Sequence, residues 1–147
     1  MRVLIDADGC PVTDIAIRLC NEFQISCVLL CDTAHVFQRT GAEILVFDKG
    51  ADSVDYALVN RVTPGDVVIT QDYGLASMCL SRNCKILHQD GWEYTRYNID
   101  ALLLVRHESR KHRAAGGRFK GPKKRTFQQD LAFEQALRII LQTAVQG

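Results

Sequence analysis

Short apolar runs alternate with amphipathic patterns along most of the chain, and the two kinds of pattern predict strands and helices in turn. Five runs rich in aliphatic and β-branched residues are predicted as strands: Val3–Ile5, Cys27–Cys31, Glu43–Phe47, Asp66–Thr70 and Lys85–Leu87. The predicted helices are Pro11–Phe23, Ser53–Val62, Leu75–Leu80, Ile99–Val105 and Phe127–Val145. Alternating strands and helices indicate parallel strands with crossover helices, and strands that are apolar throughout indicate a sheet covered on both faces. We therefore expect an α/β fold, a three-layer α/β/α sandwich with a mainly parallel sheet.

The size of the chain favours one compact unit. Its 147 residues, of which 47% are hydrophobic, are enough for a single core. We expect one domain over residues 1–147, with a basic loop at about 106–125 and a C-terminal helix at about 126–145. The apolar face of that helix is predicted to consist of Leu131, Ala132, Ala136, Leu137, Ile140 and Leu141.

The composition of the chain indicates the cellular compartment in which the protein is expected. No apolar run approaches the length needed to cross a bilayer, and Met1 and Arg2 lead straight into a strand without a signal-peptide layout. The six cysteines contain no Cys-x-x-Cys pair and are expected to be free thiols. Cys10, at a predicted helix start, is the one thiol that such a position can acidify, although packing explains it better. We expect a cytoplasmic protein without a membrane segment.

Charge is distributed unevenly along the chain, although the formal net charge is only +1. Nine of the 18 basic residues fall in one stretch opposed only by Glu108: Arg106, Arg110, Lys111, Arg113, Arg118, Lys120, Lys123, Lys124 and Arg125. A merely solvated surface is an unfavourable explanation, because nine cations repel one another without an anion nearby. The stretch indicates a polyanionic partner, with RNA favoured among nucleic acids. Four aromatic residues are candidates for stacking on bases: Trp92, Tyr94, Tyr97 and Phe119. Ordinary packing explains Trp92 and Phe119 equally well.

Aspartates cluster where predicted strands end and the following helices begin. They are Asp6, Asp8, Asp48, Asp52, Asp55 and Asp72. In an open parallel sheet these positions converge on one edge, where ligands usually bind. Many carboxylates together raise one another's pKa, and a bound hard cation relieves that cost. Oxygen ligands suit magnesium (Mg²⁺) or manganese (Mn²⁺), which promote hydrolysis at phosphorus.

The structural alternative is that these aspartates only cap helices. For Asp48 or Asp52 taken singly, that explanation is preferred. Asp6 and Asp72 are harder to explain so, since each follows an apolar strand where a buried charge is costly without a partner.

Three blocks of sequence carry a family resemblance. They are VLIDADGCPV from Val3 to Val12, Gly50-Ala51-Asp52 with Asp55, and VVITQDYGLA from Val67 to Ala76. They resemble the YaiI/YqxD family of bacterial proteins. Later blocks resemble it too, at Gly91–Thr95, Asn98-Ile99, Gly116-Gly117, Gly121-Pro122 and Arg125–Phe127.

A more distant resemblance is to the PIN-like nuclease fold, carried by the strand that ends in Asp6 and by Thr70-Gln71-Asp72. It implies that Asp6 and Asp72 are the principal ligands of magnesium or manganese. It also implies a further acid on a central helix, matched by Asp52 or Asp55, and a later one matched by Asp90. Asp8 belongs to the narrower family motif, and we expect it to be a ligand or a base that orients water.

These observations predict a metal-dependent nuclease that hydrolyses phosphodiester bonds in RNA or single-stranded nucleic acid. Its expected catalytic and metal-binding residues are Asp6, Asp8, Asp52, Asp55 and Asp72. One alternative is a noncatalytic RNA-binding or ribosome-binding protein that uses the basic stretch alone. Another is a haloacid-dehalogenase-like phosphatase, since Asp6-Ala7-Asp8-Gly9 resembles the first motif of that class. The sequence leaves the oligomeric state open.

Overall fold

The secondary structure follows the predicted alternation of strands and helices. A computed structural model describes residues 1–32, 41–48, 53–105 and 124–146. Its strands are β1 (Arg2–Asp6), β2 (Ser26–Asp32), β3 (Glu43–Phe47), β4 (Val67–Ile69), β5 (Lys85–Leu87) and β6 (Glu93–Tyr94). Its helices are α1 (Thr13–Phe23), α2 (Ser53–Arg61), α3 (Tyr73–Leu80), α4 (residues 99–105) and α5 (Phe127–Gln146). The five predicted strands and five predicted helices are confirmed, and β6 is an element that the pattern did not predict.

The strands form one sheet in the order β3-β2-β1-β4-β5-β6. The neighbours from β3 through β5 are parallel, and only β6 runs antiparallel to its neighbour β5. The chain builds outward from β1 through β2 to β3, and then returns to add β4 on the other side of β1. The order therefore reverses between β1 and β4, and in such sheets the carboxyl ends of the strands at this switch point form the usual ligand crevice.

Apolar residues cover both faces of the sheet, as expected for mostly parallel strands. Val3 and Ile5 of β1 point to the face covered by α1 and α5. Leu4 of β1 and Val68 of β4 point to the opposite face, which packs against α2, α3 and α4. Successive residues of a strand point to opposite sides, so a continuous apolar run supplies two core layers at once. The predicted α/β/α sandwich is confirmed.

The terminal helix α5 is rotated relative to the predicted apolar face. Its fully buried residues lie at four-residue steps: Phe133, Leu137 and Leu141. The prediction was wrong for Leu131, which is 40% exposed, and for Ala132, which is also exposed. Overlapping stripes of apolar residues run along this helix, so more than one of its faces could pack on the sheet. The face with Phe133 is the one that is buried, because burying this large aromatic ring removes the most apolar surface from water.

All six cysteines are free thiols, as predicted. Burial raises the pKa of the Cys10 thiol, so a helix-start position does not acidify it. Within the described ranges, none of the helices combines the length and apolar character required to cross a membrane.

Candidate active site

Asp6 and Asp72 are brought together by adjacent parallel strands and a shared threonine. Ile5 of β1 pairs with Ile69 of β4, so the residues that follow them emerge side by side at the carboxyl edge. The hydroxyl Oγ1 of Thr70 donates to Asp6 Oδ2 at 2.9 Å and accepts the backbone N–H of Asp72, also at 2.9 Å. Thr70 is only 2% exposed, so this link is shielded from solvent. One hydroxyl therefore sets the positions of both aspartates.

Asp72 also caps helix α3. Its Oδ1 accepts the backbone N–H groups of Gly74 at 2.8 Å and Leu75 at 3.2 Å. These donors are among those that the first helical turn leaves without intrahelical partners, and the helix dipole favours a negative charge there. Asp72 therefore does cap a helix, which is the structural alternative considered for these aspartates. The same side chain also lines the cleft described below.

Asp8 lies in the turn that follows β1. Its Oδ2 accepts the backbone N–H of Asp32, the last residue of β2, at 3.1 Å. The next residue, Gly9, has φ +71°, a left-handed conformation that glycine adopts without strain. The turn therefore directs the chain back over the end of the sheet and holds the Asp8 carboxylate beside Asp6.

These carboxylates line an open cleft of about 410 Å³ at the switch point of the sheet. The lining residues are Asp6, Asp8, Gln71, Asp72 and Tyr73. A larger groove of about 820 Å³ lies against α5 and includes Met1 and Lys85, near the amino ends of the strands. The surface of that groove is more apolar than polar, and of the residues that the structure describes Glu93 is the one acid that lines it, so the smaller, acidic cleft is the better candidate for catalysis.

The electrostatics of the cleft centre on Asp6. Burial raises its pKa from the usual 3.8 to about 7, and the hydrogen bond from Thr70 opposes that rise. The negative charges of Asp55, Asp72 and Asp8 raise it further. Asp55, in the first turn of α2, is therefore near enough to act on Asp6 although it does not line the cleft. Four of the predicted acids thus share one electrostatic environment.

Two other acids considered from the sequence have different surroundings. Asp48 follows β3 and is exposed, two strands away from β1. Asp90 pairs with Arg125, with 2.8 Å between its Oδ1 and Nη1 of the guanidinium. Asp52, which was also predicted as a catalytic and metal-binding residue, lies outside the described residues.

The cleft offers oxygen ligands of the kind that hard cations prefer. In the arrangement seen, Asp6, Asp8 and Asp72 each accept a hydrogen bond from the protein. Over residues 1–32, 41–48, 53–105 and 124–146, no group of three His, Cys, Asp or Glu side chains is already placed to hold a metal ion. The chemistry of these oxygen donors fits magnesium or manganese.

Most of the basic stretch, from Arg106 to Lys123, falls outside the described residues. Lys124 is exposed and Arg125 is half-buried. The Arg125 guanidinium donates through Nε to Asp130 at 2.6 Å, through Nη1 to Asp90 and through Nη2 to the carbonyl of Gln89 at 2.6 Å. Arg125 thereby fastens the end of the basic stretch to the loop after β5.

The aromatic residues differ from the sequence prediction. Tyr94 is 1% exposed, so the prediction that it stacks on bases was wrong for the protein as folded. Tyr97 is 98% exposed, Trp92 is half-buried, and Phe119 lies outside the described residues. Sequence reasoning missed Tyr73, which lines the cleft. Its position directly after Asp72, at a strand end, was the available signal.

Comparisons with known proteins identify the family. A family model described as "Uncharacterized BCR, YaiI/YqxD family" matches residues 4–143. The chain is 51% identical over 141 residues to a "UPF0178 protein" of Exiguobacterium sibiricum, covering 96% of each chain. It is 42% identical over 141 residues to a "UPF0178 protein" of Natranaerobius thermophilus, again covering 96% of each. No solved structure matches the chain. The resemblance seen in the sequence motifs is thus confirmed, and the chain belongs to the YaiI/YqxD family.

Proposed function

We propose that the protein is a PIN-like, divalent-metal-dependent nuclease that hydrolyses phosphodiester bonds in RNA or other single-stranded nucleic acid. The observation that carries this proposal is the convergence of Asp6, Asp8 and Asp72 in one open cleft, with the charge of Asp55 close by. The cleft lies where the strand order reverses, which is the usual ligand site of open α/β sheets. Clustered carboxylates at such a site suit an enzyme that acts on phosphate esters through a cation.

In this proposal Asp6 and Asp72 hold Mg²⁺ or Mn²⁺, and Asp8, Asp52 and Asp55 complete the set or orient water. The bound ion would polarise a phosphoryl oxygen and make a water molecule more acidic. Thr70 has a positioning role, because its hydroxyl bonds to Asp6 and to the backbone of Asp72. Replacing Thr70 with a side chain of the same shape but without the hydroxyl would therefore misalign both carboxylates at once.

Gln71 is the neutral polar residue of the cleft. It is exposed, and its Nε2 lies 3.5 Å from the position that a Cβ on Gly9 would occupy. Its side-chain amide thus reaches across the mouth of the cleft towards the turn after β1. An amide donor among carboxylates would bind a phosphate oxygen or a water molecule without adding charge.

The basic stretch supplies the affinity for substrate in this proposal. Lysine and arginine hold a phosphate backbone whatever its sequence. The interactions of Arg125 with Asp90 and Asp130 support this arrangement, since they attach the last residues of the stretch to the body of the protein. Arg125 also lowers the pKa of Cys10, against the larger effect of burial, so its charge lies near the turn after β1.

A cytoplasmic location is part of the same proposal. Six cysteines that are all free thiols favour a reducing compartment, because exported proteins commonly pair their cysteines.

The test is cleavage of labelled single-stranded RNA, single-stranded DNA and duplex RNA, with Mn²⁺, Mg²⁺ or a chelator, resolved on denaturing gels. We expect metal-dependent cleavage of single strands by the wild type. We expect Asp6→Asn and Asp72→Asn to reduce it at least about 100-fold. Asparagine is also a good N-cap residue, so Asp72→Asn preserves the start of α3.

The matched control is Asp100→Asn, which alters an exposed aspartate of α4 and should leave cleavage unchanged. Intact RNA under every condition, together with binding that survives chelation, would overturn the nuclease proposal. That result would favour a noncatalytic RNA-binding protein.

A further inference from the structure

An aromatic ring borders the acidic cleft. Tyr73 is the first residue of α3, directly after the capping Asp72, and it lines the cleft together with Asp6 and Asp8. The residue is half-buried, so part of its side chain faces the cleft and part packs on the core. Core packing explains the buried part of the ring, and the part that borders the carboxylates is open to contact with a ligand.

Neighbouring rings support Tyr73 from behind. Its ring centroid lies 5.9 Å from that of Tyr94 at an interplanar angle of 64°, and 6.5 Å from that of Trp92 at 57°. Both contacts are edge-on or tilted, whereas Trp92 stacks on His88 with centroids 4.3 Å apart and only 12° between the rings. Among the described residues, no ring is stacked on Tyr73. The described residues therefore do not use the capacity of Tyr73 to stack on another flat ring.

An unsatisfied hydrogen-bonding group lies in the same cluster. The Tyr94 hydroxyl is buried, with the residue 1% exposed, and has no hydrogen-bond partner within the described part of the chain. Burial is the main cause that raises the pKa of Tyr94, and the neighbouring Tyr73, Asp72, Asp90 and Asp6 add to that effect. A buried hydroxyl without a hydrogen-bond partner lowers the stability of the folded state. A polar group that arrives with a ligand, or a water molecule that it retains, would remove this cost.

The chemistry of these features fits a nucleobase better than a purely apolar group or a bare anion. Carboxylates repel an anion, and an apolar ligand would leave the Tyr94 hydroxyl without a partner. A base has a flat π-face for Tyr73 and polar edges for hydrogen bonds, and in a single strand that face is open to stacking.

We propose that Tyr73 forms a nucleobase-binding subsite at the border of the acidic cleft, stacking on the base next to the phosphodiester that is cleaved. The inference rests on the proposed function and makes it more specific. It selects strands with unpaired bases, because a base held in a duplex cannot reach the ring. Tyr94 lies behind Tyr73 and does not line the cleft, so it would donate to a base through a water molecule.

The test uses Trp92, the single tryptophan of the chain, as a fluorescent reporter 6.5 Å from the Tyr73 ring. Short single-stranded RNA is titrated in the presence of chelator, so that binding is measured without cleavage. An abasic strand of the same length and charge is titrated in parallel. For the wild type we expect a saturable change in fluorescence, and about tenfold tighter binding of the strand that carries bases.

Three variants separate stacking from folding. Tyr73→Phe keeps the aromatic face and should retain the preference for bases. Tyr73→Leu keeps apolar packing without that face and should abolish the preference, while binding of the abasic strand stays unchanged. Tyr56→Ala removes a tyrosine of α2 that is 59% exposed and does not line the cleft, and it should have no effect on the preference.

Equal affinity of wild type for both strands, or a preference that survives in Tyr73→Leu, would overturn the subsite. So would a complete lack of binding. These outcomes are independent of the cleavage assay, because chelator is present throughout. Cleavage without a Tyr73 effect would leave the nuclease proposal intact and remove the subsite. A Tyr73 effect without cleavage would overturn the nuclease proposal and leave Tyr73 as a base-binding residue of a noncatalytic protein.

Discussion

Replacing Asp6 by asparagine should stabilise the metal-free protein at neutral and alkaline pH. The carboxylate of Asp6 is held beside Asp8, Asp55 and Asp72, whose charges oppose its ionisation. Asparagine has nearly the same shape, and its Oδ1 can accept the hydrogen bond that Thr70 donates to Asp6 Oδ2 at 2.9 Å. The substitution therefore removes a charge and little else.

The magnitude follows from the pKa. Burial is the main cause that raises the pKa of Asp6 from 3.8 to about 7, so the folded protein binds this proton more tightly than the unfolded chain does. The stability associated with the protonated carboxyl is therefore present below about pH 4 and is lost as the pH rises towards 7. At ~1.36 kcal/mol for each tenfold change in proton affinity, the loss has an upper limit of about 4 kcal/mol. Solvent screening at a half-buried group lowers the expected loss of stability to between roughly 2 and 4 kcal/mol.

The assay is urea denaturation of wild type and Asp6→Asn in chelator. The variant should be more stable by about 2–4 kcal/mol near pH 8, and the difference should vanish near about pH 4. Exposed Asp100→Asn is the control and should show no such dependence on pH. A difference that is constant with pH, or an Asp6→Asn variant that is less stable near pH 8, would show that burial does not raise the pKa of Asp6. Added Mn²⁺ should stabilise wild type more than the variant, because an ion that binds only the folded state shifts unfolding.

Three further substitutions test the framework around the cleft by urea or thermal denaturation. Asp66→Ala should lower the free energy of unfolding by about 2–4 kcal/mol, because this 2% exposed carboxylate accepts the Arg2 backbone N–H at 2.9 Å and its guanidinium at 3.3 Å. An effect under about 1 kcal/mol would contradict the burial of that acceptor. Gly91→Ala should cost at least ~2 kcal/mol, since Gly91 has φ +93° and a Cβ there would lie 2.6 Å from the Ala132 carbonyl oxygen. A neutral outcome would mean that α5 does not pack there. Arg125→Lys should lower the free energy of unfolding by about 1–2 kcal/mol, because an ammonium does not reproduce the planar donors of the guanidinium that bind Asp90 and Asp130. An unchanged unfolding midpoint would show that these hydrogen bonds do not stabilise the fold.

Local periodicity determined the kinds of elements in this protein. β3 and β5 were predicted with their observed bounds, and α1 begins two residues after the predicted start at Pro11. The periods of two and 3.6 residues arise from backbone geometry within a few residues, so they can be read without knowledge of the fold. β6 escaped prediction because two residues carry no period. It exists through pairing, with Tyr94 opposite Ile86 of β5.

The candidate site was partly determined in the same way. The carboxyl ends of parallel strands meet at one edge, so the positions of Asp6 and Asp72 after apolar runs were enough to predict that they converge. Two details depended on distant parts of the chain. Thr70 bonds to Asp6 across 64 residues of sequence, and Arg125 reaches Asp90 across 35.

Which side chains face one another depends on the tertiary structure. The family, the α/β layers and the edge rich in aspartate could be predicted from the amino-acid sequence. The sequence did not determine that Phe133 sets the rotation of α5, that Tyr94 is buried, or that Tyr73 borders the cleft. The physical reason is that a helical or extended period specifies a face of an element, whereas packing and long-range hydrogen bonds select the partner of that face.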